Sequence, residues 1–93
     1  MSIARITTVT FNSTESANNA ADSYVTNAPS EFPEAQQLIG IKSDENKLIA
    51  VSLYKDKEAM ERADAARGKR LDSNQDVVSI DTKIGEVTLN HSN

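Results

Sequence analysis

The chain lacks cysteine and tryptophan, and it has a single histidine, His91. Without cysteine it can form no disulfide, no thiolate nucleophile and no thiolate metal site. Its only aromatic side chains are Phe11, Tyr24, Phe32 and Tyr54, which is few for the base-stacking surfaces of RNA-binding proteins. The net charge of −4 also argues against nucleic acids and anionic membranes as partners, because both attract positively charged proteins.

A long apolar run is also absent from the chain. The first residues, MSIARITTV, carry one early arginine and resemble neither a signal peptide nor a membrane span, so we expect a cytoplasmic protein. Ninety-three residues make one small domain, which we place at residues 1–93. A domain of this size leaves much of its surface exposed and is often completed by a partner subunit.

Four segments have the composition of β-strands. Residues 3–11 are rich in β-branched side chains and contain neither glycine nor proline. Residues 48–54 (LIAVSLY) are almost continuously apolar, which is typical of a central strand. The other two predicted strands are residues 35–42 and 77–89. In the last strand the apolar positions change parity at Gly85, where we predict a β-bulge or a bend.

Two helices are predicted between these strands. Asn12 begins a pattern that resembles a capping box, so we expect it to cap the first helix. That helix should end at residues 27–29, Asn-Ala-Pro, because the residue before a proline disfavours the helical conformation. Asp56 is the predicted cap of the second helix, which should run to about Leu71. Phe32, in the loop after the first helix, is expected to fill the space between elements.

The order βαββαβ predicts an α+β domain with a ferredoxin-like fold. Its four-stranded antiparallel sheet should have the strand order 4-1-3-2, because crossover connections are right-handed, and both helices should lie on one face. The first and third strands carry apolar residues on both faces, so the face opposite the helices would be apolar and exposed. We therefore predict a homodimer that forms through this sheet face.

Residues 33–63, PEAQQLIGIKSDENKLIAVSLYKDKEAMERA, resemble the dimeric α/β-barrel superfamily that contains the antibiotic-biosynthesis monooxygenase-like domains. The shared pattern is a strand that ends in an aromatic residue, here Tyr54, followed by a helix with an acidic cap and an alanine, here Asp56 and Ala59. The chain length and the long last strand also match. The resemblance implies a dimeric α/β barrel with a ligand cavity between sheet and helices. It implies either a cofactor-independent monooxygenase-like enzyme or a small-molecule-binding protein.

The chain departs from the catalytic members of that superfamily. Such members rely on a tryptophan, a histidine, or an Asn–Trp–Tyr set near the pocket, whereas this chain has only His91, in its tail. One alternative is therefore a noncatalytic dimeric module for ligand binding or interaction. An ACT-like regulatory domain, which shares the βαββαβ order, is disfavoured because residues 11–13 (FNS) replace the glycine usual at its ligand site. We expect no cofactor and no metal in any of these cases.

Four residues are candidates for lining a ligand pocket. Arg5 lies in the middle of a largely apolar strand and needs a partner if it is buried. That partner would be a carboxylate such as Asp81 on the neighbouring strand, or an anionic ligand. Thr7 shares the strand face of Arg5. Tyr24 and Tyr54 could offer a phenol to a ligand, or could fill the core or an interface.

Three further features have simpler interpretations. Residues 72–76 (DSNQD) copy the start of a calcium-binding loop, but Val77 replaces the required glycine and Lys83 replaces the bidentate glutamate, so we predict a turn. His91 is the only side chain whose ordinary pKa is near neutrality, but tails are often disordered. The basic residues at 67–70 are interpreted as cations that complement the negative end of the second helix.

Overall fold

The computed structural model describes residues 2–93. The elements in chain order are β1 (Ile3–Phe11), α1 (Thr14–Glu31), β2 (Gln37–Asp44), β3 (Lys47–Tyr54), α2 (Lys57–Arg62), α3 (Asp64–Asp72) and β4 (Val77–Glu86). The four strands form one antiparallel sheet in the order β2-β3-β1-β4. This arrangement confirms the predicted order 4-1-3-2 and the ferredoxin-like fold. Within residues 2–93, no helix has the length and apolar character needed to cross a membrane.

β1 lies inside the sheet and presents two different faces. Its residues alternate between the faces, and the four at Arg5, Thr7, Val9 and Phe11 are buried under the helices. α1 packs over β1, β2 and β3, while α2 packs over β3. Consequently two polar side chains, those of Arg5 and Thr7, lie beneath the helices in the middle of an apolar strand.

The core under the helices consists of two clusters. One contains Ala28, Phe32, Tyr54, Ala59, Met60 and Ala63, and the other contains Val9, Phe11 and Ala17. Phe32 fills the space between elements as predicted, with 6% of its surface exposed. Along β1, Arg5 and Thr7 lie between the two clusters, because Ile3 packs against the first and Val9 belongs to the second. This interruption of the core positions the cavity described below.

α1 begins one residue later than predicted and ends later as well. Its cap is Ser13, whose Oγ accepts a hydrogen bond from the backbone N–H of Ser16 at 3.1 Å. Asn12 instead donates its backbone N–H to the Asp76 carbonyl oxygen at 2.9 Å, which joins β1 to the start of β4. The predicted end at Pro29 is wrong, since the helix continues to Glu31. A proline in the last turn removes only one helical hydrogen bond.

The second predicted helix is two short helices. Asp56 caps α2 as expected, and its Oδ1 accepts the N–H of Ala59 at 2.8 Å. At Ala63 the backbone N–H bonds to the Met60 carbonyl oxygen, three residues back, at 3.0 Å. This tighter spacing ends the regular α-helical pattern, and α3 starts at Asp64. α2 buries two residues, whereas α3 buries none.

The irregularity in β4 is not at Gly85, which pairs with Ala4 in regular register. The register shift lies near the start of the strand, where Val77 and Ser79 pair with consecutive residues of β1 and Val78 is left over. β2 also lies two residues later than predicted, at Gln37–Asp44. Both errors concern the register of strand pairing, which is set by contacts between strands.

The C-terminal tail, residues 87–93, leaves the last strand at Glu86 rather than at residue 89. The backbone N–H of Val87 donates to the carbonyl oxygen of Ser2 at 3.0 Å. The side chain of Gln37, on the opposite edge strand, donates to Oδ1 of Asn90 at 2.9 Å. The tail therefore crosses one end of the sheet from β4 to β2.

The face opposite the helices, here called the open face, is apolar over three strands. Ile39, Val51 and Ile6 are neighbours in one row across β2, β3 and β1. Ile6 and Ile39 are 41% and 42% exposed, so no element of residues 2–93 covers this row. Alternation places Asp81 and Lys83 of β4 on the same face, which makes the β4 edge polar.

Candidate functional site

A cavity of about 1030 Å³ lies between the sheet and the helices α1 and α3. This is close to the upper end of the ~300–1,000 Å³ usual for small-molecule sites. An apolar part is lined by Val9, Phe11, Ala20, Leu48, Leu71 and Val77, and a polar part by Arg5, Thr7, Tyr24, Ser52, Arg67 and Arg70. The cavity can therefore offer both an apolar surface and directed polar groups to one molecule.

Arg5 is 4% exposed and forms an ion pair with Asp64, the first residue of α3. Its guanidinium carbon also lies 5.8 Å from the centroid of the Tyr54 ring, a cation–π distance. The predicted partner Asp81 is wrong, because Asp81 pairs with Thr8 in register and so faces the open side of the sheet. There it accepts a hydrogen bond from Lys83 at 3.1 Å. Arg5 thus joins the sheet to α3.

The two tyrosines have different positions. Tyr54 is fully buried in the first core cluster, behind Arg5, and does not line the cavity. Tyr24 lines the cavity from α1, with its ring against Gly40 of β2 and the Arg70 guanidinium carbon 5.8 Å from its centroid. Both hydroxyl oxygens are buried and have no hydrogen-bond partner among residues 2–93. Such groups cost about 1–3 kcal/mol each, so a partner in the cavity would be favoured for Tyr24, whose ring lines it.

The Tyr24 hydroxyl remains protonated at neutral pH. Burial raises its pKa from the ordinary value of 10.0, and the neighbouring Tyr54 adds to the rise. Ser52 and Arg70 oppose part of this change in pKa, although Ser52 does not meet the hydroxyl in hydrogen-bond geometry. Tyr24 is therefore a hydrogen-bond donor to the cavity and not a base at pH 7.

Arg67 and Arg70 of α3 also line the cavity. Arg70 makes a bidentate pair with Glu31 of α1, with both N–O distances 2.9 Å. Nη2 of Arg67 donates to two hydroxyls, Oγ1 of Thr82 at 2.6 Å and Oγ1 of Thr7 at 3.2 Å. Burial and the nearby Arg5 lower the pKa of Arg67, although a guanidinium stays protonated at every physiological pH.

The sequence-based interpretation of these two arginines as helix-end cations missed their place at the cavity. A signal was present, since Asp64, Arg67 and Arg70 are spaced three residues apart and so lie on one side of a helix. Using it required knowing that α3 is a separate helix that faces the sheet, which the sequence did not reveal.

The charges around the cavity are unbalanced. Its lining contains five cationic residues (Arg5, Lys42, Arg67, Lys69 and Arg70) but only two anionic ones (Glu31 and Asp76). The chain as a whole has a net charge of −4. An acidic protein with a cationic cavity attracts anions to that cavity while its outer surface repels them.

The arrangement offers little for proton abstraction near neutral pH. His91 lies in the exposed tail and does not line the cavity. Residues 72–76 form the end of α3 and a turn, in which the Asp76 N–H donates to Oδ1 of Asn74 at 3.0 Å. Among residues 2–93 no group of three or more acidic or histidine side chains could hold a metal ion. The site can bind, orient and donate hydrogen bonds.

Of the four residues predicted to line a pocket, the structure places three, Arg5, Thr7 and Tyr24, at the cavity. Tyr54 lies one layer deeper and contacts it through Arg5. Thr7 is 6% exposed and accepts a hydrogen bond from Arg67. Alternation along β1 correctly grouped Arg5 with Thr7, since both belong to the face under the helices.

No protein-family model matches the chain, and no curated protein matches its sequence. Solved structures do match it over nearly its whole length. A dimeric ferredoxin-like protein from an uncultured marine organism has 14% identity and a TM-score of 0.77, with 99% of this chain and 92% of that chain covered.

A Streptomyces coelicolor monooxygenase solved in complex with nanaomycin D has 7% identity and a TM-score of 0.76, covering 98% of this chain and 91% of that one. SnoaB, a cofactor-independent oxygenase from Streptomyces nogalater, has 12% identity and a TM-score of 0.66, covering 96% and 95%. Other matches are provisionally named antibiotic biosynthesis monooxygenases. At these identities the likeness concerns the fold alone, and the chain has the ferredoxin-like fold of the antibiotic biosynthesis monooxygenase proteins.

Proposed function

We propose that this protein is a homodimer that binds one small organic molecule in the cavity between its sheet and helices. The observation that carries the proposal is the cavity itself, about 1030 Å³ with an apolar part and a polar part. A solid core of alanine and isoleucine between sheet and helices would have argued for a purely structural or interaction role. The interruption of the core at Arg5 and Thr7 argues for a ligand.

The polar groups support this proposal because one of them lacks a hydrogen-bond partner and another lacks a carboxylate partner. The buried hydroxyl of Tyr24 has no hydrogen-bond partner among residues 2–93. Arg67 makes hydrogen bonds only to threonine hydroxyls. A ligand that bonded to either group would therefore stabilise the folded protein relative to its ligand-free state.

The homodimer is supported by the open face. The row formed by Ile39, Val51 and Ile6 is apolar and partly exposed, which is unfavourable for a monomer in water. A second copy packed on this face would bury the row, and a protein of the same fold is described as dimeric. Mass measurement by light scattering tests the assembly, and a stable monomer at micromolar concentration would contradict it.

A thermal-shift screen of metabolites tests ligand binding. A ligand at a hundred times its dissociation constant stabilises the folded state by about 2.7 kcal/mol, which in a domain of this size raises Tm by roughly 10 °C or more. Ala20→Phe is the matched control, because Ala20 lines the cavity and a phenyl ring there would occupy ligand space. Hits that stabilise the wild type and Ala20→Phe equally would place the ligand elsewhere.

A cofactor-independent monooxygenase-like activity is the second candidate. It is favoured by the solved structures of the same fold, of which one is a cofactor-independent oxygenase and another a ligand-bound monooxygenase. In such a reaction no external reductant takes part, so the substrate supplies all four electrons that dioxygen needs: a CH2 group becomes a carbonyl, one oxygen atom enters the product, and the other leaves as water with the two hydrogens. The Tyr24 hydroxyl and the arginines would orient the substrate and stabilise its electron-rich anion.

Oxygen consumption measured with each screening hit separates the two candidates. A monooxygenase would consume one dioxygen per molecule of ligand converted, and Tyr24→Phe would slow the reaction more than it weakens ligand binding. Hits that bind in the cavity while oxygen stays constant would leave the protein as a noncatalytic binding module.

A further inference from the structure

We propose that Arg67 binds an anionic group of the ligand, so that the cavity selects an apolar molecule that carries one carboxylate. The inference rests on the proposed function, because it requires a ligand in the cavity. It adds the chemical class of that ligand and the residue that recognises it.

Most charges at the polar end of the cavity are paired with each other. Arg5 is neutralised by Asp64, and Arg70 is neutralised by Glu31 through two hydrogen bonds. Arg67 has no carboxylate within 4.0 Å in the part of the chain that the structure describes. One positive charge is therefore left without a partner, and one carboxylate would balance it.

The positive charge of Arg67 lies in an unfavourable position. Burial and Arg5 both make the protonated form of Arg67 less favourable and lower its pKa, and only Asp64 and Tyr54 act in the other direction. Asp64 is already bound to Arg5. An anion placed beside Arg67 would relieve both the loss of hydration and the repulsion from Arg5.

The guanidinium group of Arg67 is held in one orientation. Nη2 donates to Thr82 of β4 and to Thr7 of β1, which fixes the plane of the group against the sheet. The N–H groups on Nη1 and Nε make no hydrogen bond to residues 2–93 and remain for a ligand. A guanidinium group that is already oriented loses little entropy when one of these N–H groups donates to a carboxylate oxygen.

The cavity also supplies a site for the rest of the molecule. Val9, Phe11, Leu48 and Leu71 line its apolar part. The cavity's two lysines, Lys42 and Lys69, are exposed at its edge, so they attract anions without fixing one in place. A molecule with an apolar body and a single acidic group therefore fits the distribution of side chains better than a neutral or a multiply charged one.

Isothermal titration with 2-naphthoate and its uncharged analogue 2-naphthamide tests the inference. Both probes have the same ring and nearly the same shape, so the difference between their affinities measures how much the negative charge contributes to binding. We expect the wild type to bind 2-naphthoate roughly tenfold more tightly, as a charge-assisted hydrogen bond implies. Arg67→Gln should remove most of that difference, because 2-naphthoate should lose more affinity than 2-naphthamide, while Arg67→Lys should retain part of it.

Lys57→Gln is the charge-matched control, since it removes one exposed cation that does not line the cavity. Equal losses of 2-naphthoate affinity in Lys57→Gln and Arg67→Gln would overturn the inference and assign the effect to overall charge. Equal binding of both probes to the wild type would overturn the inference and leave the proposed function intact. Failure of the wild type to bind either probe, at concentrations where screening hits bind, would also overturn it. Failure of every compound, hits and probes alike, would overturn the proposed function.

Discussion

Replacement of Asp64 by asparagine should destabilise the protein because it leaves the Arg5 guanidinium buried without a counter-charge. The Arg5 side chain is 5% exposed, whereas that of Asp64 is 58% exposed. Asparagine keeps the size of the side chain and one carbonyl oxygen but removes the negative charge. The free energy of unfolding should therefore fall mainly through electrostatics, with little change in packing.

The exposure of the two side chains sets the magnitude. Breaking a fully buried pair costs about 3–5 kcal/mol, whereas a fully exposed pair contributes about 0–1 kcal/mol. Here one partner is buried and the other half exposed, and the Tyr54 ring offers partial compensation through its cation–π contact. We expect a loss of about 2 kcal/mol, which lowers Tm by roughly 10 °C in a domain of this size.

Urea unfolding of four proteins measures the effect: the wild type, Asp64→Asn, Arg5→Met and the double variant. Arg5→Met removes the buried charge, so adding Asp64→Asn to it should cost almost nothing. The resulting coupling free energy should be about 2 kcal/mol. All four need the same protein concentration, because the stability of a dimer depends on it.

Asp22→Asn is the matched control, since Asp22 is exposed on α1 and makes no ion pair. The free energy of unfolding of this variant should lie within about 0.5 kcal/mol of the wild-type value. If Asp64→Asn changed the free energy of unfolding as little as Asp22→Asn does, Arg5 would have to be hydrated through the cavity. The protein's stability would then not depend on the charge of Asp64, which would refute the reasoning.

Three other perturbations have defined outcomes. Val51→Lys places a charge in the apolar row of the open face and should give a particle near the monomer mass of 10.1 kDa in light scattering; an unchanged dimer would show that the copies meet elsewhere. Asp56→Ala removes the cap of α2 and should cost about 1 kcal/mol in urea unfolding, most of which Asp56→Ser should restore. The pKa of Tyr24 is raised, so the unfolded chain ionises first and stability should fall as the pH rises above 10. Between pH 9 and 11, the free energy of unfolding in urea should fall less in Tyr24→Phe than in the wild type. An equal fall in both proteins would show that ionisation of Tyr24 is not its cause.

The sheet could be predicted from the sequence because its signals are local and agree with one another. The run of β-branched residues from Ile3 to Phe11 has the bounds of β1, and Asp56 caps α2 as its spacing from Ala59 indicates. The strand order then follows from the order of elements and the handedness of crossovers. The homodimer, by contrast, rests on an apolar face and on a protein of the same fold.

The end of α1 could not be predicted because a contact overrides the local signal. Pro29 disfavours a helix at the preceding residue, yet the N–H of Phe32 bonds to the carbonyl oxygen of Ala28 at 2.9 Å. The Phe32 ring is buried in the same core cluster as Ala28, which holds the last turn in place. Tertiary packing of this kind is not visible in the sequence around the proline.

The cavity residues of β1 and α1 were predictable from the sequence, whereas those of α3 were not. Alternation along β1 identified Arg5 and Thr7, and the apolar stripe of α1 identified Tyr24. The position of Arg67 at the cavity was not predicted, because the direction of its side chain depends on the break between α2 and α3 at Ala63. That break has no glycine or proline, so only the folded chain reveals which way α3 faces.

α3 contains no buried residues, so it should open more easily than the sheet. Ala66 and Leu71 pack against the core clusters without being fully buried, and the other contacts of the helix are polar: Arg5–Asp64, Arg70–Glu31 and the Arg67 hydrogen bonds. It therefore has less apolar contact to lose on opening than the strands beneath it. Its amide hydrogens should exchange with solvent faster than those of β1 and β3, through local opening that leaves the sheet folded. The wall of the cavity that carries the unpaired cation would then also be the part that moves aside, so the proposed ligand would reach the buried polar groups while the sheet stays folded.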